Sequence, residues 1–274
     1  MDPTTLRLIQ GAAGAASASA TYVDDVFSTF LYEGTGSSLA INNGIDLDGE
    51  GGAVWIKTRT TQAARNHTIV DSERGKDTGN SFRVLYPNLT DTEYSPGSAS
   101  NATVSSFNSN GFTAGNNANT NISSGDYVSW TFRKAPGFFD VVTYTGNGSA
   151  GRTIAHNLGS VPGVIIIKCT DDIDDWIVYH RSLGNSNKVL LNSTAASSST
   201  PHFHNTTPTS SVFTVGNNNS VNGNSLNYVA TSLPTTINRL AQIATKRLLS
   251  VEVIREMAVP AALLLILDTS HSGC

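Results

Sequence analysis

The chain has 274 residues, of which Asn, Ser, Thr and Gly supply 112, while 17 basic and 21 acidic side chains leave a net charge of −4. That balance lacks the clustered basic face that nucleic acid demands, and 39% hydrophobic residues can still build a core. Two cysteines, Cys169 and Cys274, exclude a disulfide framework, and no Cys/His spacing reads as a zinc site.

In chain order, the Ala/Gly-rich stretch 11–20 is too small-sided for the apolar segment of a signal peptide, so residues 1–21 read as a flexible leader. Short β-branched and aromatic runs then follow at 54–60, 67–71, 81–86, 127–132, 138–144, 163–170, 175–180, 188–192 and 210–215, separated by Asn, Gly, Ser and Pro turns. Short strands without helical periods predict an all-β fold of antiparallel sandwiches, jelly-roll-like in plan. The one sustained apolar run, Val259 to Leu267, is too short to span a bilayer, so no membrane insertion is expected.

The strands repeat. Tyr32-Glu-Gly-Thr-Gly-Ser is echoed by Tyr144-Thr-Gly-Asn-Gly-Ser, and Val54-Trp-Ile-Lys57 by Ile165-Ile-Ile-Lys168. Ile69-Val70 returns as Ile177-Val178, Gly111-Phe-Thr-Ala-Gly-Asn-Asn117 as Val212-Phe-Thr-Val-Gly-Asn-Asn218, and Asp126-Tyr-Val as Asn227-Tyr-Val. Landmarks in one order predict two tandem modules, 22–136 and 137–230, with longer surface loops in the first. A single larger sandwich sharing one core is the other arrangement.

Composition changes after Ala230: no aromatic residue follows, and leucine supplies eight of the last 44 residues. Read in a neighbouring frame, the codons from Thr231 onward permit a strand end, a linker and a block at Val253–Ala261 encoding YTGNGSAG, the sequence of 144–151. Residues 231–274 are therefore expected to be an out-of-frame tail standing where a third copy begins. The same stretch is rich in helix formers, so a helix is a second reading.

Several segments carry a family resemblance: LIQGAAGAAS at 8–17, TYVDDVFSTFLYEGTG at 21–36, INNGIDLDGEGGAVWIK at 41–57, YTGNGSAGRTIAHNLGSVPGVIIIK at 144–168 and DWIVYHRSLG at 175–184. Over residues 6–230 the chain resembles repeat-bearing, tail-fibre-like or structural virion proteins of tailed phages, especially those of marine cyanobacteria. These carry concanavalin A-like (lectin-like) β-sandwich modules. The resemblance implies a non-enzymatic virion protein assembled in the host cytoplasm, with other virion proteins and host-surface carbohydrate as partners and a symmetric homo-oligomer as the working form. A decoration protein contacting only virion proteins and a polysaccharide depolymerase are the alternatives.

Site candidates are few. Asp171, Asp172, Asp174 and Asp175 offer oxygen ligands for calcium, the sole cofactor suggested, or form a solvated loop. Asp46-Leu-Asp-Gly-Glu50 is a shorter acidic string that suits a turn. Trp176, Val178 and His180 alternate on one strand face and Ile177 and Tyr179 on the other. Asp174, Trp176, Tyr179 and His180 are the proposed ligand-binding set if the rings are exposed and stack on sugars; burial is the competing reading. His202 and His204 flank Phe203 as a weak metal pair, and His156 is expected to bond backbone in a turn. No catalytic residue is assigned, since no paired-carboxylate strand, nucleophile elbow or phosphate loop occurs.

Overall fold

A computed structural model describes residues 21–59 and 65–235; the leader (except Thr21) and positions 236–274 lie outside them. A single helical turn, α1 (Val23–Val26), leads into the first copy: β1 (Phe27–Glu33), β2 (Leu39–Asn42), β3 (Gly52–Thr58), β4 (Thr68–Asp71), β5 (Val104–Asn108), β6 (Gly111–Ala114) and β7 (Asp126–Arg133). The second copy holds β8 (Asp140–Thr145), β9 (Arg152–Ala155), β10 (Pro162–Cys169), β11 (Ile177–His180), β12 (Asn187–Leu190), β13 (Ser198–Ser199), β14 (Val212–Val215), the turn α2 (Asn219–Asn222) and β15 (Asn227–Pro234). The protein is all-β, and every strand pair is antiparallel.

The strand order repeats. The first copy forms a sheet β1-β7-β3-β4 faced by β2-β6-β5. The second forms β8-β15-β10-β11, extended by β12 and β13, together with β9-β14. The duplicated tyrosines fall opposite one another in both, Tyr32 against Tyr127 and Tyr144 against Tyr228. Their rings stack at 5.2 Å and 5.1 Å between centroids. Each pair caps a turn: Tyr32 Oη donates to Thr120 O and Tyr144 Oη to Val221 O, both at 2.7 Å. The Tyr127 and Tyr228 hydroxyls donate to Ala118 O and Asn219 O and accept from the amides of Ile122 and Gly223. The glycine two residues after each leading tyrosine is required by close approach, because a Cβ on Gly34 would run into Ile122 O, and one on Gly146 into Gly223 O.

Each copy has its own core. In the first, Ile41, Val54, Ile56, Val70, Phe112 and Tyr127 lie between its two sheets; in the second, Ile154, Ile165, Ile167, Phe203, Phe213 and Tyr228 do so. A third cluster joins the copies, with Trp55, Trp130 and Val128 from one large sheet packed with Val164, Ile166, Val178 and Val229 from the other. The molecule is thus a four-layer stack with three cores, an arrangement between the two expected. This explains the run Pro162–Cys169, where all eight residues of β10 are buried. Ile165 and Ile167 face the copy's own core while Val164 and Ile166 face the neighbour, so apolar residues are needed on both sides.

Two segments depart from expectation. The run 81–86 forms isolated bridges, Phe82 with Lys76, Val84 with Tyr94 and Leu85 with Ile69, and not a strand. It belongs to the long excursion between β4 and β5, whose Pro87 lacks an amide donor to extend a ladder. At the other end β15 runs on to Pro234, four residues past the boundary expected at 230; Thr231 and Ser232 pair with Val141 and Asp140 as well as with Ile166 and Ile165. The proposed out-of-frame tail otherwise falls outside the described residues. Among these, no helix is long and apolar enough to cross a membrane.

Candidate functional site

The ring-binding set is not at the surface. Trp176, Tyr179 and His180 are each 4% exposed. Strand alternation sends Trp176 and Val178 into the core between copies and Ile177 and Tyr179 into the second copy's own core. Trp176 Nε1 donates to Leu89 O of the first copy's excursion at 3.0 Å, Tyr179 packs on Phe203, and His180 Nδ1 accepts from the Ser182 amide. The expectation of a sugar-stacking face on β11 is corrected: both faces of the strand are covered, and the aromatic area is spent on packing.

The acidic loop is a latch between copies. Asp171 Oδ2 accepts from the amide and side chain of Asn227, Asp172 Oδ1 from the Ile173 amide, and Asp175 Oδ1 from Asn192 Nδ2. Asp174 Oδ1 accepts from Ser220 Oγ at 2.8 Å, while its amide donates to Thr90 O. The Glu93 amide donates to Thr170 O beside them. The carboxylates are thus dispersed among separate donors, and among the described residues no group of three or more His, Cys, Asp or Glu side chains could hold a metal. Adding millimolar calcium, or EDTA, is expected to leave the melting temperature unchanged; a calcium-dependent rise measured by calorimetry would restore the metal reading.

The sequence repeat also hid a role for its lysines. Lys168 is fully buried, with Nζ donating to Cys169 O at 2.6 Å and Asp172 O at 3.2 Å, and burial lowers its pKa. Lys57, only partly buried, makes the corresponding contact in the first copy, reaching Arg65 O at 2.9 Å. Each lysine bonds a main-chain carbonyl that follows its central strand. Excursion residues are held likewise by ion pairs: the buried Arg74 bridges Asp71 at 2.6 Å and Glu93 at 3.2 Å, and the partly exposed Arg83 joins Glu93.

Of the other acidic and histidine candidates, Asp46 Oδ1 accepts from the amides of Asp48 and Gly49 in a turn, as expected. His156 Nδ1 accepts from the Leu158 amide, again a turn contact. His67, which sequence reasoning passed over, is buried and accepts Trp55 Nε1–H at 3.0 Å through Nδ1. Burial, aided by Lys57, pushes its pKa down to about 4. The unfolded chain therefore binds the extra proton between about pH 6.5 and 4, so stability is complete above that window and falls as pH drops through it. His156 and His202 are shifted in the same direction by burial. His67 alone is expected to remove about 2–3 kcal/mol between pH 7.5 and 4.5. Urea unfolding at the two pH values checks this, and His67→Gln should flatten the dependence.

The metal pair His202 and His204 is not formed. Residues 202–205 make a turn, with His204 at φ 50°, so the alternation that would place both rings on one strand face is absent. His204 is exposed and lies beside Gly151, whereas His202 is 3% exposed. His202 stands at the wall of a cleft of about 420 Å³, with Thr200 and Pro201 on its own side and Asn217, Asn218 and Asn219 opposite. The Thr200 hydroxyl completes no hydrogen bond, and the His202 ring makes no well-aligned one, having only the Thr200 main chain and the Asn218 side chain within reach. Burial and Lys188 hold the ring neutral, only partly countered by the nearby Thr200 main chain, Asp174 and Asn218. The cleft is lined by uncharged side chains, with apolar as well as hydrogen-bonding surface.

Residues 23–234 match the model of a family described as a domain of unknown function, DUF7483. The chain belongs to this family. The match spans both copies, so the DUF7483 unit coincides with the whole four-layer stack and not with one repeat. Neither a curated protein nor a solved structure matches the chain.

Proposed function

We propose that this DUF7483 chain is a non-enzymatic, tail-fibre-like structural component of a phage virion, presenting polar loops to host-surface carbohydrate. The observation that carries this reading is the locked stack: two copies share a buried core and are latched through Asp174, Trp176 and Glu93, which suits a rigid display module. Its Asn-, Ser-, Thr- and Gly-rich loops offer many neutral hydrogen-bonding groups, and the motif resemblance supports a particle protein. Weak individual contacts would be multiplied by homo-oligomeric display. Asp71 and Glu93, two carboxylates that the structure brings to one place, are both paired with Arg74.

The test is adsorption of the full chain, multimerised on beads, to bacterial cells and to an array of bacterial surface polysaccharides. Saturable adsorption that is lost when cells are stripped of polysaccharide supports the reading; no adsorption in either format overturns it. The second reading, a decoration protein binding only virion proteins, is favoured by Leu31, 56% exposed on edge strand β1, and Ile173, 69% exposed at the tip of the acidic loop.

A further inference from the structure

We propose that the cleft between Thr200–His202 and Asn217–Asn219 binds one neutral, hydroxyl-rich sugar residue. The proposal deepens the carbohydrate reading above and rests on it for the source of the ligand.

Three observations carry it. First, the wall holds a nearly fully buried imidazole whose nitrogens make no well-aligned hydrogen bond, with only the Thr200 main chain and the Asn218 side chain in reach, next to an unpartnered Thr200 Oγ1. Buried polar atoms are ordinarily satisfied, and an orphaned one costs stability unless a ligand or water completes it. Secondly, no charged side chain lines the cleft. A neutral imidazole presents one donor and one acceptor, and the three facing amides present both. That set complements hydroxyl groups, which also donate and accept. It has no cation to hold a phosphate or carboxylate and no carboxylate to hold a metal. Pro201 adds an apolar surface for the C–H face of a pyranose.

Thirdly, the first copy shows the same place closed. Gly115 N donates to Thr103 O and Gly216 N to His202 O, which makes Thr103 the counterpart of His202 and Asn101 that of Thr200. There Asn117 Nδ2 reaches across to Asn101 Oδ1 at 2.9 Å. In the second copy, threonine in place of Asn101 is too short to meet Asn218, and the gap remains open. The repeat thus provides the substitution that should seal the site, Thr200→Asn.

The test uses the full chain carrying ¹⁵N and ¹³C-histidine labels, titrated with the methyl glycosides of glucose, galactose, mannose, fucose and N-acetylglucosamine and followed by NMR. At least one glycoside is expected to shift the His202 ring and the Asn217 and Asn218 amide signals saturably, with millimolar affinity. Thr200→Asn and Asn217→Ala are each expected to weaken that binding at least about tenfold with the melting temperature unchanged. The site is overturned if no glycoside saturates, if glycerol gives the same shifts, or if Thr200→Asn binds as the parent does. The two readings fail separately. Cell adsorption without any saturable glycoside shift sinks this site and leaves host attachment standing; saturable glycoside binding without cell adsorption sustains the site and sinks the attachment reading.

Discussion

Replacing Trp55 with alanine is expected to lower the unfolding free energy by about 4 kcal/mol, with both copies losing structure in one transition at lower denaturant. The magnitude is that of a large buried aromatic truncated in a core that cannot collapse. Trp55 is 6% exposed and meets Trp130 edge-on at 6.0 Å within the cluster that joins the two large sheets. Its indole N–H is also the donor to the buried His67, so the substitution leaves that acceptor orphaned in addition to the cavity. Because Val164, Ile166 and Val229 of the second copy line the same cluster, damage there is shared between copies. Urea unfolding followed by circular dichroism and by tryptophan emission should give coincident curves for both proteins. A loss below about 1 kcal/mol, or separate transitions for the two copies in the parent, would show that the central core does not couple them.

The second large effect is expected at Asn222, which has no solvent exposure. Its Nδ2 donates to Gly216 O at 2.9 Å and Ser149 O at 2.8 Å, while Oδ1 accepts from the Asn147 amide at 3.0 Å. One side chain therefore ties the loop after β8 to the turn before β15. Asn121 does the same work in the first copy, bonding Gly115 O, Ser37 O and the Thr35 amide. Asn222→Ala strands three main-chain groups at once and is expected to cost about 2–4 kcal/mol, reduced where water can enter the loops. Asn222→Asp should be at least as harmful, because it replaces a double donor by a buried acceptor facing two carbonyl oxygens. Thermal unfolding measures both, with the exposed Asn217→Ala as the control that stays within about 0.5 kcal/mol. An Asn222→Ala protein as stable as that control would mean the loops are held by other contacts.

Most of the strand plan was legible from residue order. The β-branched and aromatic runs at 54–60, 127–132 and 163–170 became β3, β7 and β10, and the paired landmarks returned as matched strands with Tyr32 and Tyr144 in the same register. The run at 81–86 misled because its apolar residues reach a core from a loop, where local pattern resembles a strand without a neighbour to pair with. The candidate site was less legible. Asp174 and Trp176 looked like ligand groups on their own strand and loop, but their partners, Ser220 and Leu89, are 46 and 87 residues away.

Residue order by itself determined the β class, the duplication and the tyrosine–glycine turns, since these depend on alternation, spacing and steric room along short segments. Only the tertiary structure decided that Trp55, Trp130 and Trp176 face a third core between copies, and that one copy's cleft is open where the other's is bridged. A strand apolar on both sides reveals that both will be covered, not by what; the covering sheet is chosen by docking of surfaces far apart in the chain.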